Sequence, residues 1–185
     1  MELLTYFQNR RSVRSYTGAP VPEEAVNQIL QAGMLSASGK ALRPWEFIVV
    51  RNKETLRALA ECRKPAAKML QDADCAIVVL GDEARSDVWV EDCSVVMANM
   101  HLMADGLGVG SCWVQGRLRE ASAGGSSEAF VRKLLGFPEH LRLEAILGCL
   151  SSARSPTAWR SCPQRRSTGR PINPTTRPHA GRSGH

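Results

Sequence analysis

The first apolar positions, Leu3, Leu4 and Phe7, fall on one side of a helical wheel. They predict a short helix that runs into the basic stretch Arg10-Arg11-Ser12-Val13-Arg14. Pro20-Val21-Pro22-Glu23-Glu24 opens a second helix, with proline in its first turn and carboxylates at the positive end of its dipole. Val26, Ile29, Leu30 and Met34 continue it at helical spacing. From Ser36 to Pro44 the residues are small and aperiodic, which predicts a loop. Trp45 to Val50 is a β-branched and aromatic run, hence a strand. Lys53 to Glu61 reads as a helix, with a shorter one following up to Gln71. Cys75 to Leu80 is apolar on both faces, as a strand in the middle of a sheet must be.

The clearest helical period runs from Asp92 to Leu107, with Val96, Met100, Met103 and Leu107 on one face. Val95, Asn99 and Leu102 widen the stripe, so both sides of this helix are expected to be covered. Ser111 to Gln115 predicts a third strand, and Glu128 to Leu135 a helix stopped by Gly136 and Pro138. Leu143 to Leu147 is the last apolar strand. Four strands interleaved with five or six helices predict a layered arrangement of helices and sheet.

After Leu150 the pattern stops. The remaining 35 residues contain no Leu, Val, Met, Phe or Tyr, and hold half of the ten prolines. Too little apolar area is present to offset the entropy of ordering, so residues 1–150 are expected to form the domain and residues 151–185 a disordered tail. The abrupt change to Arg, Ser, Pro, Thr and Gly also has the look of a displaced reading frame, which resequencing of the locus would settle.

Composition adds three constraints. A chain of 185 residues, 43% apolar and 23% charged, suits one domain with a sizeable core. No segment approaches the roughly 18 consecutive apolar residues of a membrane span, and the N-terminus lacks the order of a signal peptide. A cytoplasmic protein is expected. The net charge of +6 is unevenly placed: residues 1–150 carry 17 basic and 18 acidic groups, whereas the tail carries seven arginines and no acid. Charges on a flexible tail give salt-sensitive, non-specific attraction, so no specific nucleic-acid partner is expected. The six cysteines show no CxxC spacing and no histidine partner, so they read as reduced core residues rather than metal ligands.

Arg10, Ser12 and Arg14 are the sharpest chemical cluster. Arginine presents a planar fork of donors suited to phosphate, and a serine hydroxyl adds a compact donor. In an extended segment the three would point the same way, able to touch one dianion; a solvated basic turn is the alternative. The loop from Ser36 to Pro44 could bring backbone donors close to a flat ligand, or could be a plain connection. Gly106-Leu107-Gly108-Val109-Gly110 is not a dinucleotide fingerprint, because a helix precedes it and a strand follows. Gly106 is instead expected as a left-handed helix cap. The histidines at 101, 140, 179 and 185 sit apart, with His101 on the buried-looking helix. Glu91 and Asp92 suit the first turn of that helix.

Taken in order, the motifs RRSVRSY (residues 10–16), VPEEAVNQIL, SASGKALRPWEFIVV (36–50), DADCAIVVL, WVEDCSVVMANMHLMADGLGVGSCWVQGR (89–117) and LLGFPEHLRLEAILG resemble the FMN-dependent nitroreductase family over about residues 3–150. The resemblance implies an α+β fold: an α/β/α sandwich with a mixed or mostly antiparallel central sheet, forming an intertwined homodimer with FMN in clefts at the interface. It implies that Arg10 and Ser12 hold the ribityl phosphate with Arg11 close by, and that Arg14 approaches the pyrimidine edge of the flavin. Ser36, Ala37 and Ser38 would come from the partner subunit, with Arg43 in the next turn, and Gln115 and Gly116 would lie near the flavin ring. It also implies NADH or NADPH as hydride donor and a nitroaromatic, quinone or similar small molecule as acceptor. This sequence departs from the family pattern at Ala37, where a proline is usual, and at Ala41 and Arg43, where asparagine and glutamine are usual. The tail matches nothing in the family. A flavin-binding or dimerising remnant without efficient turnover is therefore the alternative reading.

Overall fold

The computed structural model describes residues 3–14 and 20–151. The expectations for the tail, beyond Ser151, lie outside the described residues. Helix α1 spans Leu3–Asn9 and α2 spans Glu23–Met34. They are followed by β1 (Trp45–Val50), α3 (Lys53–Leu59), β2 (Cys75–Asp82), α4 (Trp89–Gly106), β3 (Val109–Gln115), α5 (Ser127–Leu135) and β4 (Leu141–Ser151). Short 3-10 turns cover Gly39–Ala41 and Lys68–Asp72.

The helix ends follow local chemistry. Asn52 accepts a hydrogen bond from the Thr55 amide at 2.9 Å and so caps α3, while Ser126 accepts from the Ala129 amide at 3.1 Å and caps α5. Gly136, at φ 74°, ends α5 in the left-handed region, as its sequence position suggests. Gly106 does not behave as expected. It is the last residue of α4, and the left-handed residue is Gly108, at φ 71°, whose amide donates to the Asp105 carbonyl at 3.0 Å. The helix continues two residues further than the glycine spacing suggests because Leu107 still donates to the Met103 carbonyl.

The sheet has the order β1-β2-β4-β3, with every neighbouring pair antiparallel. Strand β2 alternates strictly between two cores. Ala76, Val78 and Leu80 pack with Leu56, Leu59, Leu70 and Val131 beneath α3, the second 3-10 turn and α5. Cys75, Ile77 and Val79 pack with Ile29, Val96, Met97 and Met100 beneath α2 and α4. This is the double coverage that the two-sided apolar run predicts, and it makes a three-layer α/β/α sandwich. Strand β4 is longer than the apolar stretch Leu143 to Leu147, because pairing takes in Leu141 and Arg142 before it and Gly148 to Ser151 after it.

Helix α4 departs from expectation in one respect. Its sheet side is buried at Val96, Met97, Met100 and Ala104, but within one chain Val95 and Met103 stay exposed. Helix α1 buries none of its residues, and Leu3, Leu4 and Phe7 are all more than half exposed. Among the described residues, nothing covers these apolar positions on the outer side of α4 or on the apolar side of α1.

Because β2 is covered on both faces, truncation there should be felt in full. Ile77→Ala is expected to destabilise the protein by about 3 kcal/mol. Val49→Ala, on the half-open edge strand β1, should cost less than about 1 kcal/mol. Urea midpoints of the two variants would test the difference, and equal losses would contradict the layered core.

Candidate functional site

Strand β3 lies at the edge of the sheet, and its free side takes up the basic segment. The Val13 amide donates to the Ser111 carbonyl at 2.9 Å, and Ser12 forms a parallel bridge with Ser111. This docking divides the arginine cluster. One Arg10 guanidinium nitrogen donates to His101 Nε2 at 2.8 Å on the α4 side of the sheet. Ser12 and Arg14 stand instead beside the Cys112 thiol, which burial pushes up and the Arg14 guanidinium pulls down. Arg11 folds back on the backbone carbonyls of Gln8 and Arg10, each at 2.7 Å. The three side chains at 10, 12 and 14 therefore flank β3 rather than line a single face. The ion pairs among the described residues engage Arg51, Lys53, Arg132 and Arg142. Among the described residues, Arg10, Arg11 and Arg14 belong to none of these ion pairs.

His101, expected on the buried side of its helix, ties the basic segment to β3. It is buried on α4, and its Nδ1 lies 2.6 Å from the Ser111 hydroxyl. A guanidinium can only donate, so Nε2 accepts from Arg10 and the ring proton sits on Nδ1, from which it is given to Ser111. A helix residue thus fixes the orientation of a loop arginine. Only the helical period of α4, placing residue 101 on the face that meets β3, hinted at this.

The other end of β3 is built around Glu144. Strand β4 pairs Leu143 with Leu80 and Ala145 with Val79, leaving Glu144 as the extra residue of a bulge. A bulge turns two consecutive side chains to the same face. Here Ala145 joins the core beneath α4, and Glu144 Oε1 accepts from Ser94 of α4 at 3.4 Å. Gln115 Nε2 donates to both Glu144 Oε1 and the Glu144 carbonyl at 3.1 Å, while Gln115 Oε1 accepts from the Trp113 indole at 2.8 Å. The same Glu144 carbonyl accepts the amides of Gly116 and Arg117 at 3.0 and 2.9 Å. The side chain of Gln115 is thus turned into this network. At Gly116 a Cβ would come within 2.5 Å of Leu143, so only glycine lets the chain turn so close to β4. Glu144 itself is buried, and its Oε2 has no hydrogen-bond partner. Burial pushes its carboxyl up, against the opposing pull of Gln115, Arg117 and Ser94, with nearby Glu91 adding to the rise.

The third part is the loop after α2. Lys40, Ala41 and Arg43 all have left-handed backbones, at φ 52°, 55° and 49°. Such backbones cost roughly 1–2 kcal/mol each for residues with a Cβ. Several bonds hold them in place. The Gly39 amide donates to Asp92 Oδ1 at 2.8 Å, and the Arg43 amide to Ser38 Oγ at 2.9 Å. Ser86 secures the other Asp92 oxygen at 3.2 Å. The buried Ser36 hydroxyl donates to the Ala32 carbonyl at 3.1 Å and accepts from Asn99 at 2.8 Å. Ala37 and Arg43 are exposed. Asp92, which the sequence assigned to the helix terminus, is thus an anchor of this loop. Backbone strain held by surrounding bonds is characteristic of ligand-holding segments. Within one chain, the residues at 10–14 and at 115–116 share β3, whereas the Ser36 to Arg43 loop hangs from α4 through Asp92 and Asn99. Among the described residues no group of His, Cys, Asp or Glu is arranged to hold a metal ion, and no helix is long and apolar enough to cross a membrane.

Comparison with known proteins identifies the family and the fold. The family model described as the Nitroreductase family matches residues 7–68 and 61–150. A Methanothermobacter thermautotrophicus protein named "Putative NADH dehydrogenase/NAD(P)H nitroreductase" is 38% identical over 144 residues, 76% of this chain and 72% of its own. Among solved structures, the FMN-dependent nitroreductase of Clostridium difficile R20291 superposes with a TM-score of 0.84 at 34% identity, covering 92% of this chain and 99% of its own. A Desulfovibrio desulfuricans protein solved "in complex with fmn" gives a TM-score of 0.72 at 25% identity, covering 92% of this chain and 97% of its own.

The raised Glu144 carboxyl has a thermodynamic signature. A carboxyl whose folded pKa exceeds its unfolded value adds stability that is complete below the unfolded pKa and is lost as pH rises through the folded one. Glu144→Gln keeps an acceptor for Gln115 and cannot ionise. Its stability relative to the parent protein is therefore expected to grow as pH rises from about 4 towards neutrality, starting from the ordinary carboxylate range. Urea midpoints of the two proteins at a series of pH values would read this, and a pH-independent difference would contradict it.

Proposed function

The chain belongs to the nitroreductase family, and from that premise we propose that it is an FMN-dependent NAD(P)H oxidoreductase that works as a homodimer in the cytoplasm and reduces nitroaromatic, quinone or similar small acceptors by alternating half-reactions. The observation that carries this reading is the strip along β3. Ser111, beside the arginine-serine segment, and Gln115 are four residues apart, about 13 Å at the ordinary rise of a strand. A ligand with an anionic end and a planar end fits such a strip, and FMN has that form.

The residues present suit it chemically. Arg10 spends one donor on His101 and keeps the rest of its fork for a phosphate, with Arg11 and the exposed hydroxyl of Ser12 close by in the chain. Arg14 supplies positive charge on the other side of β3. At the far end, Gly116 lets the chain turn against Leu143, and the bulged strand keeps the turn at residues 115–117 from moving. Bound there, FMN supplies the hydride chemistry. The protein supplies position and electrostatics, with no side chain required as a nucleophile. The Ser36, Ala37, Ser38 and Arg43 loop, preset by Asp92, is assigned to the flavin bound by the partner subunit.

The homodimer is supported by the apolar positions one subunit leaves open: Leu3, Leu4 and Phe7 of α1, Met34 and Leu35 after α2, and Val95 and Met103 of α4. A second copy has matching surfaces to place on them. The cytoplasmic assignment is supported by the cysteines among the described residues, five in number, all buried and free. Cys75 and Cys149 stand directly opposite each other across β2 and β4 without being joined, as suits a reducing compartment.

Purified protein should be yellow, and its flavin absorbance should bleach when NADH or NADPH is added without oxygen. Colourless protein that takes up no added FMN would end this reading. Arg10→Ala should weaken FMN binding about tenfold to a hundredfold, as loss of a charge-assisted hydrogen bond does, and leave riboflavin binding unchanged. Fluorescence titration with both ligands would show this. Sedimentation should give a dimer, and Phe7→Asp combined with Met103→Asp should shift it to monomer with loss of bound flavin.

A further inference from the structure

Arg117 lies in the turn after β3, two residues beyond Gln115. Its amide donates to the Glu144 carbonyl at 2.9 Å, which fixes its backbone. Its half-buried guanidinium donates to no acceptor and joins no ion pair among the described residues. It lies instead over the Trp89 ring, 5.8 Å from the centroid. Glu144 feels the charge of Arg117, yet the buried Glu144 Oε2 stays without a partner while the guanidinium is held at the indole. We infer that Arg117 is a specificity-determining residue: it takes the carboxylate of an anionic aromatic acceptor, and Trp89 holds it in readiness. This rests on the flavin reading, which sets the planar end of FMN at Gln115.

Both supports of the guanidinium are fixed. Trp89 opens α4 and packs against β2 at Gly81, where a Cβ would collide with the indole. The Arg119 amide donates to the Gly116 carbonyl at 3.2 Å and closes the turn. Within that turn Leu118 has φ 54°, a left-handed backbone that a bulky residue seldom adopts, and it is 78% exposed. Backbone strain that burial does not offset accumulates at ligand-holding segments. The chemistry of the cation then selects the ligand. A guanidinium offers a planar fork of N–H groups that meets a carboxylate in two parallel bonds. Fixing it over an aromatic ring in advance reduces the side-chain freedom lost on binding. A neutral acceptor gains from neither, so the turn discriminates by charge. Glu91, exposed in the first turn of α4, forms no ion pair with Arg117 among the described residues. Arg119 folds back on the Leu118 carbonyl at 3.2 Å, a neighbouring charge without this geometry.

The test is a binding measurement on the flavin-loaded, oxidised protein. Two probes share a nitrobenzene ring: para-nitrobenzoate carries the carboxylate, and para-nitrotoluene has a methyl group in its place. Calorimetry would give their dissociation constants for the parent protein, Arg117→Gln and Arg119→Gln. Arg117→Gln is expected to weaken para-nitrobenzoate about tenfold to a hundredfold, as loss of a charge-assisted hydrogen bond does, and to leave para-nitrotoluene within about twofold. Arg117→Lys, which keeps the charge without the fork, should recover part of the loss. Arg119→Gln removes the same charge two residues away and should change neither probe. In nitrogen-15 spectra of the parent protein, the Arg117 Nε signal should move with para-nitrobenzoate and stay in place with para-nitrotoluene. These spectra decide the matter if the variants do not fold. Equal losses for the two probes, or an Arg117 signal that ignores para-nitrobenzoate, would overturn the inference and leave the flavin reading intact. A loss confined to oxidised NADP, with para-nitrobenzoate unaffected, would assign Arg117 to the donor and overturn it as well. Failure of the flavin reading is seen separately, as parent protein that takes up no FMN before any probe is added.

Discussion

The need to cover both faces of β2 and β4 governs this fold. Ala76, Val78 and Leu80 look one way while Cys75, Ile77 and Val79 look the other, and none is exposed by more than a trace. Burying a Val, Leu or Ile side chain is worth about 1.5–3 kcal/mol, so neither face can be left to water. Helices α3 and α5 must therefore lie on one side, and α2 and α4 on the other. With its inner side committed to the sheet, α4 carries His101, Ser94, Asp92 and Asn99 to fixed heights above β3, β4 and the loop after α2. The candidate site follows from that placement. Each of its three parts is tied to that same helix.

Period-two and period-3.6 patterns made the layers readable in advance. Strand β2 was recognisable because its run is apolar at every position, α4 because its stripe is too wide for a surface helix, and α5 because Gly136 closes it. Reading failed where a local rule competed with a tertiary contact. Gly106 carries the residue type of a cap, yet the helix passes through it, since Leu107 keeps its bond to Met103 and the turn falls to Gly108. The outer side of α4 looked covered because periodicity reports apolarity and cannot report which molecule supplies the cover.

Within the site, residue types were legible and their directions were not. Arginine and serine at 10, 12 and 14 are compatible with an anion site or a solvated basic turn, and their division between the two faces of β3 depends on a bond between Val13 and Ser111, nearly a hundred residues apart. The left-handed run at Lys40, Ala41 and Arg43 has no sequence signature, because those residue types seldom adopt it; it is imposed by Asp92, Ser38 and their partners. His101 is the satisfied buried residue that its helix position suggests, but its partners, Arg10 and Ser111, come from two other segments.

Strand β4 holds one more lesson. Leu143 faces the core under α5, Ala145 the core under α4, Ile146 the first again and Leu147 the second. Excising position 144 would thus leave an unbroken alternating ribbon with every remaining side chain already facing its present neighbours. The sheet has no architectural use for that position, and could be passed down without it. A carboxyl inserted there is a passenger on an otherwise self-sufficient strand, and selection could have kept it only for what it does to the turn at Gln115, Gly116 and Arg117.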